Sequence, residues 1–364
     1  MGENEASVGF ETFSKRLAVQ VIPEQKKVIE GLSVGTLAEK VGPSMAATIE
    51  SSFADDSLSD ESPDSRRCKS LLDGSPKHFS TPACFQAARR LFGRPQRPQG
   101  LRVAELNVGD EESAETFVAR QTPLSGGVKR IEVFAVASDL HKDENHDVEL
   151  PISHLLVVNP QNGLVADLVD LLPPGTTACL EMNIIDRGGL SSRVEQIGKG
   201  ASGEKVNPGQ RIVLHNKEMI GGRDVGDVKG PVLLHESAHL LQFFHLASHA
   251  NFKEKIGDFV LSAQRRAYQY FFKKEFARTG LPRLPKAQQR RIALMEKNAW
   301  QFTLATIWRY RELGVDPVPE LSDADLLAFS NLCLRIYQDG YKITIPKILR
   351  LSPHESGLGR PKSS

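Results

Sequence analysis

Residues 230–245, GPVLLHESAHLLQFFH, set His235, Glu236 and His239 into a run that is otherwise almost entirely Leu, Val, Ala and Phe. Polar groups are costly to take out of water, so this stripe must face solvent or a partner that compensates its desolvation. At 3.6 residues per turn, His235 and His239 fall one turn apart on one helix face, with Glu236 beside them and Gln242 continuing the stripe. Two imidazoles at that spacing bring their ring nitrogens to about 2 Å from a single zinc ion and leave the neighbouring carboxylate facing the open coordination position. Such an ion acidifies water. Glu236 is then placed as general base, taking a proton from the attacking water and returning it to the leaving amine of a cleaved amide. The plainer alternative is a helix with a solvated His/Glu face.

The stretch VLLHESAHLLQ resembles the HExxH active-site helix of zincin metallopeptidases, a likeness that covers about 210–310. The resemblance implies an α+β catalytic domain, with a small twisted sheet in its N-terminal half and helices in its C-terminal half. It implies one catalytic Zn2+, and a protein or peptide substrate laid along an edge strand, a place that QRIVLHN (210–216) resembles. A catalytic zinc also needs a third protein ligand. His245 has the metzincin spacing, but Gln242 stands where that pattern has a turning glycine. His249 is similar to the later histidine of SprT-like proteins, although the aromatic Phe252 comes one residue early. Glu254 with Asp258 forms the ExxxD of thermolysin-like enzymes, flanked by Lys253 and Lys255. Glu296 is preferred: in IALMEKNAWQFTLATIWRY it borders the apolar stripe of Ile292, Met295, Ala299, Phe302 and Thr306. Its ExxAW also resembles the ligand helix of gluzincins. The expected set is therefore His235, His239 and Glu296 on the metal and Glu236 as base. Tyr310, Tyr337 and Tyr341 are candidates for steadying an oxyanion, and the sequence does not choose among them. His141 and His146 in HKDENHD read as a surface loop.

The elements that must position these residues follow from pattern. VKRIEVFAVAS (128–138), HLLVVN (154–159), ACLEMNIID (178–186) and QRIVLHN read as strands, and GLVADLVDLL (163–172) reads as a helix stopped by Pro173-Pro174-Gly175. The stretches 187–209 and 220–231 read as Gly-rich connections, and neither has the GK[ST] ending of a phosphate-binding loop. Helices are expected over 231–249, 252–279, 285–313 and 322–338, with a short ordered end at 341–351. Strands followed by helices predict an α+β domain over 101–351, with 352–364 a disordered tail.

Residues 1–100 read as largely disordered, because the Ser-rich acidic stretch 50–65 and the Pro, Arg and Gly linker 93–100 bury too little apolar area to offset chain entropy. Within this region ACFQAARRLFGR reads as a short amphipathic helix, and its Arg89-Arg90-Leu91-Phe92 resembles a cyclin-docking motif. Ser62-Pro63, Ser75-Pro76 and Thr81-Pro82 resemble proline-directed phosphorylation sites. Docking to host proteins through this region is the implied partner relationship.

Composition narrows the class. With 46 basic and 45 acidic side chains the net charge is +1, which gives no global reason to bind nucleic acid or an anionic membrane. No window approaches the roughly 18 apolar residues of a membrane span. The start MGENEASVGF has no Sec signal pattern, and Ala6 stands where a myristoylation motif wants Ser or Thr. Synthesis in the cytoplasm is expected. The four cysteines, Cys68, Cys84, Cys179 and Cys333, are scattered, as expected of reduced thiols. The polar N-terminal region without a Sec signal is similar to effector proteases that bacteria inject into host cells. The competing function is a non-catalytic, zinc-containing interaction module that recruits partners through the N-terminal motifs.

Overall fold

Strand alternation sorts the apolar residues of this chain into two layers. In β4 (Glu149–Asn159) Leu155 and Val157 point into one layer and Leu156 into the other, as the two-residue period of a strand requires. The computed structural model describes residues 25–54, 102–108, 115–135, 149–181, 193–196, 210–215, 219–220, 223–224, 228–248 and 285–348, together with Cys68 and Leu72.

Among the described residues a helical stretch at 25–30 and two short helices, α1 (Leu37–Val41) and α2 (Pro43–Ala54), precede the sheet. The sheet is built from β1 (Arg102–Val108), β2 (Glu115–Pro123), β3 (Lys129–Ala135), β4, β5 (Leu164–Asp167), β6 (Thr176–Glu181), β7 (Arg193–Gln196) and β8 (Gln210–His215). Its order is β1-β2-β3-β4-β6-β8-β7, with β5 also pairing β4. Pairing is antiparallel except between β6 and β8, where Thr176 to Glu181 run beside Gln210 to His215 in the same direction. β9 (Met219–Ile220) and β10 (Arg223–Asp224) form a separate small hairpin. Among the described residues three helices follow: α3 (Lys229–Ser248), α4 (Lys286–Glu312) and α5 (Asp323–Tyr341). Mixed strands then helices make the architecture α+β, with helices on both faces of the sheet. Among the described residues no helix is long and apolar enough to cross a membrane.

Several sequence expectations need correction. QRIVLHN is not an edge strand: β7 pairs along its outer side from Gln210 to Val213, so β8 is interior. The covering strand comes from 187–209, where Gly-rich composition suggested only a connection. GLVADLVDLL does not form a helix. Leu164–Asp167 pairs with β4 as β5, and Leu168–Leu171 makes a single 3-10 turn capped by the Asp167 carboxylate, which accepts from Val169 N–H at 3.0 Å. The reading of 1–100 as largely disordered is also too broad. Thr36 and Glu39 form a capping box at the start of α1, and Gly35 and Val165 exchange two backbone hydrogen bonds of 2.8 and 2.9 Å. Met45 and Ile49 of α2 then bury against Leu106, Phe117 and Ile131 on one sheet face, while Ile29 and Leu32 join the layer on the other. The motifs at 62–63, 75–76, 81–82 and 83–94, the expected helix 252–279, and the tail 352–364 lie outside the described residues.

The second layer is the helical one. α3 crosses the interior, with Val232, Leu233, Leu234, Ala238 and Leu240 all fully buried. Gly230 lets its first turn approach the segment after α4 closely: a Cβ there would meet the Pro317 carbonyl at 3.2 Å. α4, about 40 Å long at 1.5 Å per residue, ends at Gly314, whose φ of 87° is the left-handed conformation that terminates helices at low cost. The Gly314 carbonyl accepts from the side chains of Asn159 and Asn162 at 3.0 and 2.9 Å, which pins the end of α4 to the β4–β5 turn. Ser322 and Asp325 form a capping box that starts α5.

A buried ionic layer lies between the sheet and the start of α3. Arg120 and Glu132 face each other across β2 and β3 and form an ion pair, and Lys229 Nζ of α3 reaches the second Glu132 oxygen at 3.3 Å. Arg130, fully buried on β3, pairs with Glu320 of the α4–α5 connection at 2.9 Å. Removing one partner from such a layer leaves charge stranded away from water. Glu132→Ala is therefore expected to lower unfolding stability by about 3–5 kcal/mol, read as a shift in the urea midpoint. A midpoint unchanged from wild type would show that the layer does not secure α3.

Candidate metal centre

α3 places His235 and His239 on one face, as their spacing requires, and buries both: 3% and 8% of their surface stays exposed. The polar stripe therefore does not face solvent. It faces α4. The helices run antiparallel, since Gln242 meets Met295, both histidines meet Glu296, and His235 meets Trp300. Ala299, fully buried, keeps the interface shallow enough for these contacts.

The three polar groups converge. His235 Nε2 and His239 Nε2 are 3.1 Å apart, and Glu296 Oε2 lies 3.3 Å from the first and 3.5 Å from the second. In a tetrahedral site with bonds of about 2.0–2.1 Å, ligand atoms are about 3.3–3.4 Å from one another. The observed triangle has that size. Two imidazoles and a carboxylate are also the donor set that zinc and related divalent transition metals accept. Among the described residues this is the cluster of three or more His, Cys, Asp or Glu side chains able to hold a metal ion.

Each histidine is oriented by a different device. The His239 Nδ1 is 3.0 Å from Gln242 Oε1, and Gln242 Nε2 donates to the Met295 carbonyl at 3.0 Å. His235 instead stacks on Trp300, with ring centroids 4.3 Å apart and planes 25° from parallel, and Trp300 packs edge-on against Phe329. The His235 Nδ1 has no hydrogen-bond partner among the described residues. Ser237, between the two histidines, turns its hydroxyl back to the Leu233 carbonyl at 2.7 Å and so is satisfied within the helix.

Electrostatically the two imidazoles are pushed in opposite directions. Burial holds His235 down to about 4, with the neighbouring His239 adding to the effect against the Glu296 hydrogen bond. Burial also acts to lower His239, but the Glu296 charge and hydrogen bond, with help from Glu236 and Gln242, raise it to about 9. Burial would raise Glu296, yet the charge of His239 and hydrogen bonds from both rings hold its carboxyl well below the usual carboxylate range. A divalent cation entering here would take the place of the proton that His239 holds against the Glu296 carboxylate.

Glu236 is buried, with 7% exposure, close enough to His239 and Tyr337 for its charge to act on both. The structure separates the three tyrosines. Tyr310 is remote from the cluster and feels Asp170 and Asp167 instead. Tyr337 is the neighbour of Glu296: burial raises its hydroxyl, reinforced by the Glu296 charge and by a hydrogen bond to that carboxylate. Tyr341 follows, pushed by burial and Glu296 to about 12. Of the other third-ligand candidates, His249 and Glu254 lie outside the described residues, as does the side chain of His245. Gln242 and Trp300 were visible in the sequence as a stripe residue and as the last letter of ExxAW. Their roles depend on the facing helix.

Searched against known families, curated proteins and solved structures, the chain finds no match. The geometry predicts that zinc or cobalt uptake by the purified chain is stoichiometric, is lost in Glu296→Ala and His239→Ala, and persists in His249→Ala and Glu254→Ala. Elemental analysis after dialysis reads this, and full metal content in Glu296→Ala would remove Glu296 from the centre.

Proposed function

We propose that this chain is a zinc-dependent metallopeptidase of the gluzincin type, with His235, His239 and Glu296 holding the ion and Glu236 acting as general base. The observation that carries this reading is the approach of Glu296, from a helix 57 positions further along the chain than His239, to within 3.5 Å of both histidines. Glu296 was the residue that the likeness to the gluzincin ligand helix singled out. When bound, the ion supplies Lewis acidity: it polarises a carbonyl and lowers the pKa of water.

The remaining work falls to the chain. Glu236 follows a ligand directly in sequence and is buried on the same helix, where a carboxylate can take a proton from the attacking water and pass it to the leaving nitrogen. A structural metal site has no use for it. Tyr337, kept protonated by burial and close enough to Glu296 to feel its charge, is placed as a hydrogen-bond donor beside the third ligand. The leucines and valines around the stripe exclude water, which strengthens each of these interactions. A zincin-like placement of substrate against the sheet would use β7, the strand at the outer side of β8, rather than β8 itself.

Glu236→Gln is expected to keep full metal content and to lower cleavage of a degenerate peptide library by at least about 10²–10⁴-fold, with products followed by mass spectrometry. Retained cleavage would end the assignment of Glu236 as base. A metal-loaded wild type that cleaves nothing in the library would favour the non-catalytic reading instead.

A further inference from the structure

Gln242 continues the stripe of His235, Glu236 and His239, and the proposed reaction gives it no part. It is 2% exposed, and its amide makes two hydrogen bonds in opposite directions. The Met295 carbonyl only accepts, so the amide NH2 must point to it, at 3.0 Å. The amide oxygen is thereby turned to His239 Nδ1, also at 3.0 Å. An amide oxygen only accepts, so Nδ1 carries a hydrogen and Nε2, the atom that faces His235 and Glu296, is the one left to give up its proton and offer a lone pair to a metal. The same amide grips α4 at Met295, the residue immediately before Glu296.

We infer that Gln242 is the positioning residue of this metal centre, setting through one side chain both the tautomer of His239 and the register of the helix that delivers Glu296. The inference rests on the metal-binding reading of His235, His239 and Glu296. It adds to that reading a residue that touches neither metal nor substrate. A hydrogen-bond acceptor behind a ligating imidazole fixes its ring and increases its donor strength, and losing one typically weakens metal binding 10- to 100-fold. Because the acceptor here is a neutral amide rather than a carboxylate, the ring is polarised less than it would be by a charged partner.

The test uses cobalt(II) as probe, with binding and visible absorption bands measured on the full chain. Gln242→Leu removes both hydrogen bonds and is expected to bind cobalt 10- to 100-fold more weakly, with altered band positions, while its far-UV circular dichroism matches wild type. Gln242→Met, close to Gln in size and shape, likewise removes both hydrogen bonds and is expected to show the same loss and the same shift of the bands. Wild-type affinity and bands in the Leu variant would overturn the assignment. So would wild-type affinity and bands in the Met variant, which carries the test by itself if the Leu variant does not fold. A wild-type chain that takes up neither cobalt nor zinc would overturn the metal reading and this assignment with it, an outcome distinct from wild-type binding that Gln242 substitutions leave untouched.

Discussion

Two imidazoles and a carboxylate, packed within 3.5 Å of each other between otherwise apolar helices, are the constraint around which this structure is arranged. None of the three could be buried alone without a desolvation penalty of several kcal/mol. Together they compensate one another, and the compensation demands that α3 and α4 meet in one register. A slide of one residue along α4 would carry Glu296 about 100° around the helix and away from the histidines.

The rest of the fold restricts that slide. α3 is anchored at its start by the Lys229–Glu132–Arg120 layer on the sheet, and α4 at its end by the Gly314 carbonyl between Asn159 and Asn162. Between the anchors, the Gln242 amide joins the two helices at the centre itself. The sheet thus serves as a floor under α3, its apolar alternation supplying the layer into which Val232, Leu233 and Leu234 sink. The same floor carries α2 on its other face, so a segment whose composition reads as unfolded gains its order from the sheet rather than from its own helix propensity.

The departures from the sequence reading share this character. GLVADLVDLL contains apolar residues at both strand and helix spacing, and a short apolar run of that kind is decided by what it can pair with. Here β4 offers Leu156 to Asn159 as a partner, and Leu164–Asp167 takes the strand form. Gln210–His215 is apolar enough to be a strand, but whether a strand is an edge depends on what else pairs there, and β7 does so from a segment with little strand pattern of its own. The long elements with regular periods, α4 and α5, and the strand β3 fall close to where their patterns place them, whereas β4 starts at Glu149 rather than His154 and β6 at Thr176 rather than Ala178.

His235, Glu236 and His239 were determined by sequence alone, because i, i+4 spacing on a helix is a local property of the backbone and holds wherever the helix lies. The apolar surroundings of that helix were equally local, and with them the expectation that the stripe meets a compensating partner. Which residue completes the cluster was a matter of tertiary structure. That Glu296 reaches both rings turns on the distance between helices far apart in the chain, and that distance is set by the summed packing of Ala299, Trp300 and the Gln242–Met295 bond rather than by any spacing in the sequence. The tautomer of His239 and the separation of Tyr337 from Tyr310 were decided in the same way, since each depends on which groups the fold brings face to face.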